Sequence, residues 1–412
     1  MLPYIKLKHL LLFIVAASAF TLISCKKNSS SGSGAPVIKQ IRAISLDSVI
    51  TAALPGQYVV IQGSNLASTQ QVFFNGFPAT INNALFSDNN LVVTVPRIAW
   101  DSIPSGKMNT LEVITATGDV VFKFAITAPV PTIASVSNEN AVAGTTITLM
   151  GSNFYGVTKV TFPGGIAGTN LVVKGTSQFT VTVPAGITTS DSLRVTGTYG
   201  TGVPRFIFDN YLVPITGFLA NFEDGNTYFG WQYWGGIKAN DAVIYPNNTG
   251  NYIRIHPSSS INAGDGGWYS DNRAVMVASS AWIPTANLAD PIGNYALKFE
   301  INVKIPWSNG SLMIVPNGGN KFYYMARYAP WQNTSTNQFV TNGWQTVIIP
   351  LTSILKVNDS GNYNASGISA PNIAALTGGT NVATLQFMLD NDSTAPLTAF
   401  DAAIDNVRIV KL

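Results

Sequence analysis

The stretch Gly56–Asn65, GQYVVIQGSN, recurs later in the chain at Gly144–Asn153 as GTTITLMGSN. In both copies, alternating apolar residues lead into a Gly-Ser-Asn triplet, as in a strand with one buried face that ends in a turn. Two more pairs of segments recur in the same order: VFFNG (72–76) with VTFPG (160–164), and LVVTVP (91–96) with FTVTVP (179–184). Because the repeat extends over whole units, it predicts two tandem β-sandwiches.

The composition favours strands over helices and argues against a nucleic-acid partner. Charged residues make up 10% of the 412, and the chain has only four glutamates, whereas helices favour Glu and Lys. The formal net charge is +3, and beyond the N-terminal region no cluster of basic residues is longer than Lys26-Lys27. Phosphate backbones require larger basic patches than this, so we expect an all-β protein that does not bind nucleic acid.

The N-terminus predicts export and a lipid anchor. An apolar run at Leu10–Ile23 follows two lysines, which is typical of a secretory signal. The residues Leu22–Cys25, LISC, resemble the lipobox of bacterial lipoproteins, in which the cysteine is lipidated and becomes the mature N-terminus. Cys25 is the single cysteine of the chain, and the alternative is an ordinary cleaved signal with a spare cysteine. With a lipidated Cys25, disulfides and cysteine-based zinc sites are excluded from the folded part.

The last 195 residues differ from the repeat in composition. Seven of the eight tryptophans lie after residue 218, and NFEDGNTYFGWQYWGG at Asn221–Gly236 opens this region. Strict alternation from Tyr295 to Ile305 predicts a long half-buried strand, with Lys298 and Glu300 on its polar face. At least eight such apolar segments fit a jelly-roll sandwich. The predicted segments are a signal peptide (1–24), a lipidated cysteine with a flexible tether (25–35), two sandwiches (36–128 and 129–213) and a C-terminal sandwich (214–412).

Several motifs resemble those of known families. The signature G-x-x-[VI]-x-[IL]-x-G-[ST]-[NG] makes the two repeats similar to IPT/TIG domains of the immunoglobulin-like class. The segments Asn221–Gly225, Gly343–Thr346 and Ile404–Val407 resemble parts of jelly-roll carbohydrate-binding modules. The whole layout resembles the B-type surface glycan-binding proteins of Bacteroidota, whose last domain binds xyloglucan or a related glycan.

The resemblance implies a location and a set of partners. It implies a lipid-anchored protein of the outer membrane that faces the cell surface. It also implies polysaccharide as ligand, and a TonB-dependent transporter with its glycan-binding lipoprotein as partners. Lys26–Ser29 carries no acidic residue, unlike many surface-exported lipoproteins of this phylum, so an anchor that faces the periplasm stays open.

Exposed aromatic residues are the candidate binding groups. A flat Trp or Tyr ring matches the apolar face of a sugar, and neighbouring polar side chains satisfy its hydroxyls. For Trp231 and Trp234 the alternative is packing at the rim of the core, and Trp344 is expected in the core because it starts an apolar strand. The predicted glycan-binding residues are Trp231, Trp234, Trp268, Tyr269, Tyr323, Arg327 and Trp331.

The residues offer little support for catalysis. Glycoside hydrolysis needs two carboxyl groups on either side of the bond, and His256 is the only histidine after the signal. Glu300 is expected to be solvated or ion-paired. Glu223 and Asp405 are a minor candidate pair for Ca²⁺, which needs more oxygen ligands, so no metal or cofactor is predicted. The rival functions are a glycoside hydrolase or lyase on the same fold, and a structural or adhesive lipoprotein.

Overall fold

The structure is a computed structural model of the chain. It describes residues 34–189, 191–202, 207–208, 217–223, 228–229, 237–248, 250–317 and 322–412. The chain divides into two compact units, the first ending at Ala128 and the second beginning at Pro129. Strands dominate the regular structure in the described residues, which confirms the all-β prediction.

The first unit is a β-sandwich. In its described part, the sheets with strand orders β2-β1-β4-β7 and β6-β5-β8-β9 are antiparallel, and β3 and β10 form a short parallel pair. Val59 and Ile61 of one sheet and Leu111 and Val113 of the other are buried, because alternate side chains of each strand face the core. The strands are β1 (Val37–Ala43), β2 (Val49–Ile50), β3 (Ala52–Ala53), β4 (Tyr58–Ser64), β5 (Thr69–Phe74), β6 (Phe77–Pro78), β7 (Asn90–Thr94), β8 (Thr110–Thr115), β9 (Gly118–Lys123) and β10 (Ala125–Ile126), with a 3₁₀ turn at Asn83–Leu85.

A second sandwich begins the second unit. Its described strands form a four-stranded sheet, β11-β12-β15-β14, a three-stranded sheet, β13-β17-β18, and the pair β16-β19. Ile147, Leu149, Phe179 and Val181 belong to the core between the sheets. The strands are β11 (Thr132–Val136), β12 (Thr146–Ser152), β13 (Lys159–Thr161), β14 (Thr169–Val173), β15 (Gln178–Thr182), β16 (Asp191–Ser192), β17 (Arg194–Gly197), β18 (Gly200–Gly202) and β19 (Ile207–Phe208), with a 3₁₀ turn at Pro163–Gly165.

The repeated Gly-Ser-Asn triplet has the same structural role in both sandwiches. A Cβ atom on Gly63 would lie 1.8 Å from the carbonyl oxygen of Val37, and one on Gly151 would lie 1.9 Å from that of Thr132. The glycine therefore permits the close approach of the first strand of each sandwich. Asn65 and Asn153 adopt positive φ values of 60° and 61°, which Asn tolerates better than β-branched residues.

The C-terminal sandwich packs two larger sheets face to face. Among the described strands, one sheet runs β22-β23-β31-β25-β28 with β20 beside β31, and the other runs β21-β24-β30-β26-β27-β29. The strands are β20 (Phe218–Ala220), β21 (Tyr228–Phe229), β22 (Ile237–Ala239), β23 (Tyr252–Ile255), β24 (Ala274–Ala281), β25 (Tyr295–Val303), β26 (Ser311–Pro316), β27 (Tyr324–Tyr328), β28 (Gln345–Pro350), β29 (Leu355–Lys356), β30 (Val382–Asp390) and β31 (Ala402–Lys411). Helix α1 (Ile373–Thr377) and 3₁₀ turns at Thr285–Asn287, Ile292–Asn294, Pro330–Asn333 and Leu351–Ser353 lie in the connections.

One large apolar core fills the space between these sheets. Leu297, Phe299 and Ile301 of β25 point into it from one sheet, and Leu385 and Phe387 of β30 point into it from the other. Trp344, expected in the core, is buried in a smaller cluster with Tyr245 and Tyr252, which confirms that expectation. Met388, on the other face of β30, does not belong to this core.

The predicted strand was found at the expected position, but the prediction that one of its faces is exposed to solvent was wrong. β25 spans Tyr295–Val303, but all nine of its residues are buried. The polar face of β25 is covered by the second sandwich, where Glu139 accepts hydrogen bonds from Lys298 Nζ at 2.8 and 3.1 Å. Arg408 donates to Glu139 at 3.0 Å and to Glu300 at 2.9 Å. We call these four charged side chains the ionic junction.

Further polar contacts surround the ionic junction. Asn140 Nδ2 donates to Glu300 at 2.8 Å, and the Thr346 hydroxyl donates to Glu300 at 2.7 Å. The Thr346 amide donates to the carbonyl of Ser137 at 2.8 Å, and the Glu139 amide donates to the Thr346 hydroxyl at 2.8 Å. The ion-paired option for Glu300 is confirmed. The second and third sandwiches are thus joined by buried, hydrogen-bonded charges.

Candidate functional site

The far face of β30 and its neighbours is apolar without belonging to the main core. Side chains alternate along a strand, so Met388 points away from the core that Phe387 enters. Met388 pairs with Met313 of β26 across the sheet, and Met313 pairs with Arg327 of β27. Met313, Met325 and Met388 are buried in a separate cluster, which we call the methionine floor.

A loop before β24 forms one wall over the methionine floor. Asp265 fixes this loop because its carboxylate accepts from the Gly267 amide at 2.7 Å and from Arg273 at 3.3 Å. Arg273 is buried and also donates to the carbonyl of Leu389 at 3.1 Å, which ties the loop to β30. Trp268 is half-buried and packs against the floor cluster.

The aromatic rings of this wall contact one another. Tyr269 is 57% exposed, and its ring centroid lies 5.8 Å from that of Trp268 in an edge-on arrangement. The centroid of the Phe322 ring also lies 5.9 Å from that of Trp268. Such contacts restrict the Trp268 ring, so little rotamer entropy is left to lose when a ligand binds.

A second loop, after β29, forms another wall. The Asn358 side chain accepts hydrogen bonds from the amides of Ser360 at 3.1 Å and Asn362 at 2.9 Å. These bonds are those of an Asx turn, which fixes the backbone of a tight loop. Tyr363 follows and packs its ring against the methionine floor.

The two walls and the floor line a partly open cavity of about 330 Å³, which we call the cleft. Its volume is at the lower end of the range for small-ligand sites. Apolar and polar side chains are mixed in it, as sugar recognition requires. The lining consists of Gly264, Asp265, Gly266, Trp268, Met313, Phe322, Met325, Gly361, Asn362, Tyr363, Met388, Asp390, Asn391 and Asp392.

In the part of the cleft that the structure describes, the charged groups form ion pairs, with one exception. Arg327 donates to Asp392 and, at 2.9 Å, to Gln332. Asp390 lines the cleft, and its Oδ1 is buried without a hydrogen-bond partner among the described residues. Burial raises the pKa of Asp390 to about 7, and the neighbouring Asp392 adds to the rise while Arg273 opposes it. A carboxyl group that titrates near neutral pH is therefore part of the cleft wall.

The structure brings several of the predicted residues to this region. Trp268 lines the cleft, and the Tyr269 ring contacts the Trp268 ring. Tyr323 is 58% exposed and immediately precedes β27, next to Phe322 in the lining. Arg327 shares the outer face of β27 with Met325 and lies at the rim through its bond to Asp392. For these four residues, a role in binding stays a prediction.

The remaining predicted residues lie elsewhere. Trp331 is half-buried against the main core, donates its indole N–H to the carbonyl of Gly310 at 2.8 Å, and does not line the cleft. Trp231, Trp234 and Cys25 lie outside the described residues. Among the described residues there is no cluster of three or more His, Cys, Asp or Glu that could hold a metal ion. Over the same residues, no helix has the length and apolar character needed to cross a membrane.

Asp390, Tyr363 and the methionine floor were not expected from the sequence. Met313, Met325 and Met388 lie on three strands and meet only through the register of the sheet. The available signal was the alternation in β30, where Gln386, Met388 and Asp390 alternate with core residues. That alternation assigns Asp390 to the same face as Met388.

Comparison with known proteins supports the assignment of this domain. Residues 215–411 match the family model of the surface glycan-binding protein B xyloglucan binding domain, and residues 41–122 match that of the IPT/TIG domain. The crystal structure of surface glycan-binding protein PbSGBP-B from Prevotella bryantii shares the fold, with a TM-score of 0.69 and 21% identity. That likeness covers 92% of this chain and 99% of the other.

A curated relative matches a smaller part of the chain. An IPT/TIG domain-containing protein of Bacteroides ovatus is 24% identical over 162 residues, which are 38% of this chain. The match spans 33% of that relative, so only about a third of its length is represented. Together with the family models, these findings confirm the resemblance to surface glycan-binding proteins of Bacteroidota and the sandwich architecture.

Proposed function

We propose that this protein is a non-catalytic, cell-surface polysaccharide-binding protein that captures a plant-type glycan, xyloglucan or another β-glucan, for an outer-membrane uptake system. The cleft carries this proposal, because it lies within the residues that match a xyloglucan-binding domain. Trp268 and Tyr363 offer flat rings to the apolar faces of sugars, and Asn362 and Asp390 offer hydrogen bonds to hydroxyls.

The remaining segments fit the same role. The LISC sequence that ends at Cys25 supports a lipid anchor in the outer membrane, with the following residues as a tether. The two immunoglobulin-like sandwiches would act as a spacer. The ionic junction fixes the binding domain to the second of them, so the cleft keeps one orientation on that sandwich. A TonB-dependent transporter and its glycan-binding lipoprotein would receive the captured glycan.

Affinity electrophoresis with a polysaccharide panel tests the proposed function. We expect xyloglucan or mixed-linkage β-glucan in the gel to slow the full chain, since both present flat, neutral backbones to an aromatic wall. Polygalacturonate should not slow it, because the described cleft lining contains three carboxyl groups and no basic residue. Failure of every glycan to slow the protein would contradict the proposal. New reducing ends after incubation would contradict its non-catalytic part.

A further inference from the structure

Two of the three carboxyl groups in the described cleft lining accept hydrogen bonds through both oxygens. Asp265 accepts from the Gly267 amide at 2.7 Å and from Arg273 at 3.3 Å. Asp392 accepts from the Ser311 hydroxyl at 2.7 Å and from Arg327 through both oxygens. Both arginines near the cleft are thereby engaged, and these two carboxylates are anchored within the protein.

Asp390 is the third carboxyl group, and its environment differs. It ends β30 on the same face as Met388, so it lies at the edge of the methionine floor. Its Oδ1 is buried and has no hydrogen-bond partner among the described residues. No basic residue donates to Asp390 in the described part of the chain, whereas Asp265 and Asp392 each have an arginine.

A neutral ligand would not supply the missing counter-ion. Among the described residues, the other charged or titratable groups that face the cleft, directly or through ion pairs, are Asp265, Arg273, Arg327, Tyr363 and Asp392. A sugar that covers Asp390 removes more water from it and adds no positive charge. This penalises the charged form far more than the neutral one. A neutral carboxyl group can donate one hydrogen bond and accept others, as a sugar hydroxyl does.

We infer that Asp390 contacts a sugar hydroxyl as the neutral carboxylic acid, so that the cleft holds its glycan more tightly in acidic than in alkaline solution. The inference rests on the proposed glycan-binding function and deepens it, because it assigns a contact residue and a pH dependence to the same site. The sequence predicted aromatic rings and Arg327 as binding groups, whereas Asp390 is assigned from the hydrogen bonds of the cleft.

The direction of the effect follows from proton linkage. Burial raises the pKa of Asp390 to about 7 in the free protein, and a bound glycan raises this pKa further. Binding is therefore accompanied by proton uptake above neutrality. The affinity is highest in acidic solution. It falls as the pH rises through about 7, by at most about tenfold per pH unit.

Titration calorimetry of the full chain with xyloglucan tests the inference. Between about pH 5.5 and about pH 8.5, we expect the wild-type affinity to fall roughly tenfold. The variant Asp390→Asn should keep the affinity measured in acid and lose the pH dependence, because an amide resembles the neutral acid in shape and hydrogen bonding. Asp119→Asn, at an exposed position on β9, is the control and should keep the wild-type pH dependence.

The outcomes separate this inference from the proposed function. Wild-type binding that is equal at both pH values, or tighter in alkali, overturns the inference and leaves glycan binding intact. A folded Asp390→Asn variant that keeps the wild-type pH dependence, or binds at neither pH, overturns it as well. If the wild-type protein binds no glycan at either pH, it is the proposed function that fails.

Discussion

Replacing Trp268 with alanine is expected to weaken glycan binding by about 2 kcal/mol or more, which is roughly thirtyfold in affinity. Trp268 lines the cleft, packs on the methionine floor, and contacts the rings of Tyr269 and Phe322. Its removal takes one ring from this wall and removes the contact that each of the two neighbouring rings makes with it. Titration calorimetry with xyloglucan measures the loss.

A control distinguishes this effect from the general loss of an aromatic ring outside the cleft lining. Tyr58, on β4 of the first unit, does not line the cleft and is 58% exposed. Tyr58→Ala should leave the affinity within about 0.5 kcal/mol of wild type. A folded Trp268→Ala protein with wild-type affinity would show that the wall before β24 does not bind the glycan.

Replacing Arg408 with methionine is expected to destabilise the second unit by about 3–5 kcal/mol. Arg408 is 1% exposed and donates to both Glu139 and Glu300, so its loss leaves buried carboxylates with fewer donors. Methionine keeps much of the apolar stem, which limits the change to the charge. Scanning calorimetry of the full chain should show the transition of this unit lowered by about 10 °C.

An exposed ion pair in the same domain is the control for this effect. Lys411 lies 3.5 Å from Asp290, and its side chain is 62% exposed. Lys411→Ala should cost at most about 1 kcal/mol, since surface ion pairs contribute little. If Arg408→Met were as stable as Lys411→Ala, the ionic junction would not be a stabilising contact between the two sandwiches.

Local patterns in the sequence were sufficient for much of the fold. The repeat at Gly56–Asn65 and Gly144–Asn153 predicts β4 and β12, because burial on alternate residues and a Gly-Ser-Asn triplet are local requirements. The alternation from Tyr295 placed β25 correctly for the same reason. The predicted exposure of its polar face was wrong, because Glu139, which covers that face, lies in another sandwich.

The candidate site could be predicted only in part, and for a related reason. Trp268 and Tyr269 lie in a loop rich in Gly and Asp, where an exposed aromatic pair is a visible signal. The methionine floor depends on the pairing of β26 with β27 and β30, which local pattern does not fix. The partly buried Asp390 at the end of β30, with its Oδ1 unpaired among the described residues, likewise depends on long-range contacts, because Arg273, the nearby arginine, already pairs with Asp265.

The central claim is that the glycan binds in the cleft on the outer face of the β21-β24-β30-β26-β27-β29 sheet. A crystal structure of the full chain with a xyloglucan oligosaccharide tests it most directly. The account predicts sugar rings in the cleft, with one ring against Trp268 and a hydroxyl within hydrogen-bond distance of the Asp390 carboxyl group. An oligosaccharide bound on another face of the domain, or on either immunoglobulin-like sandwich, with the cleft left empty, would contradict it.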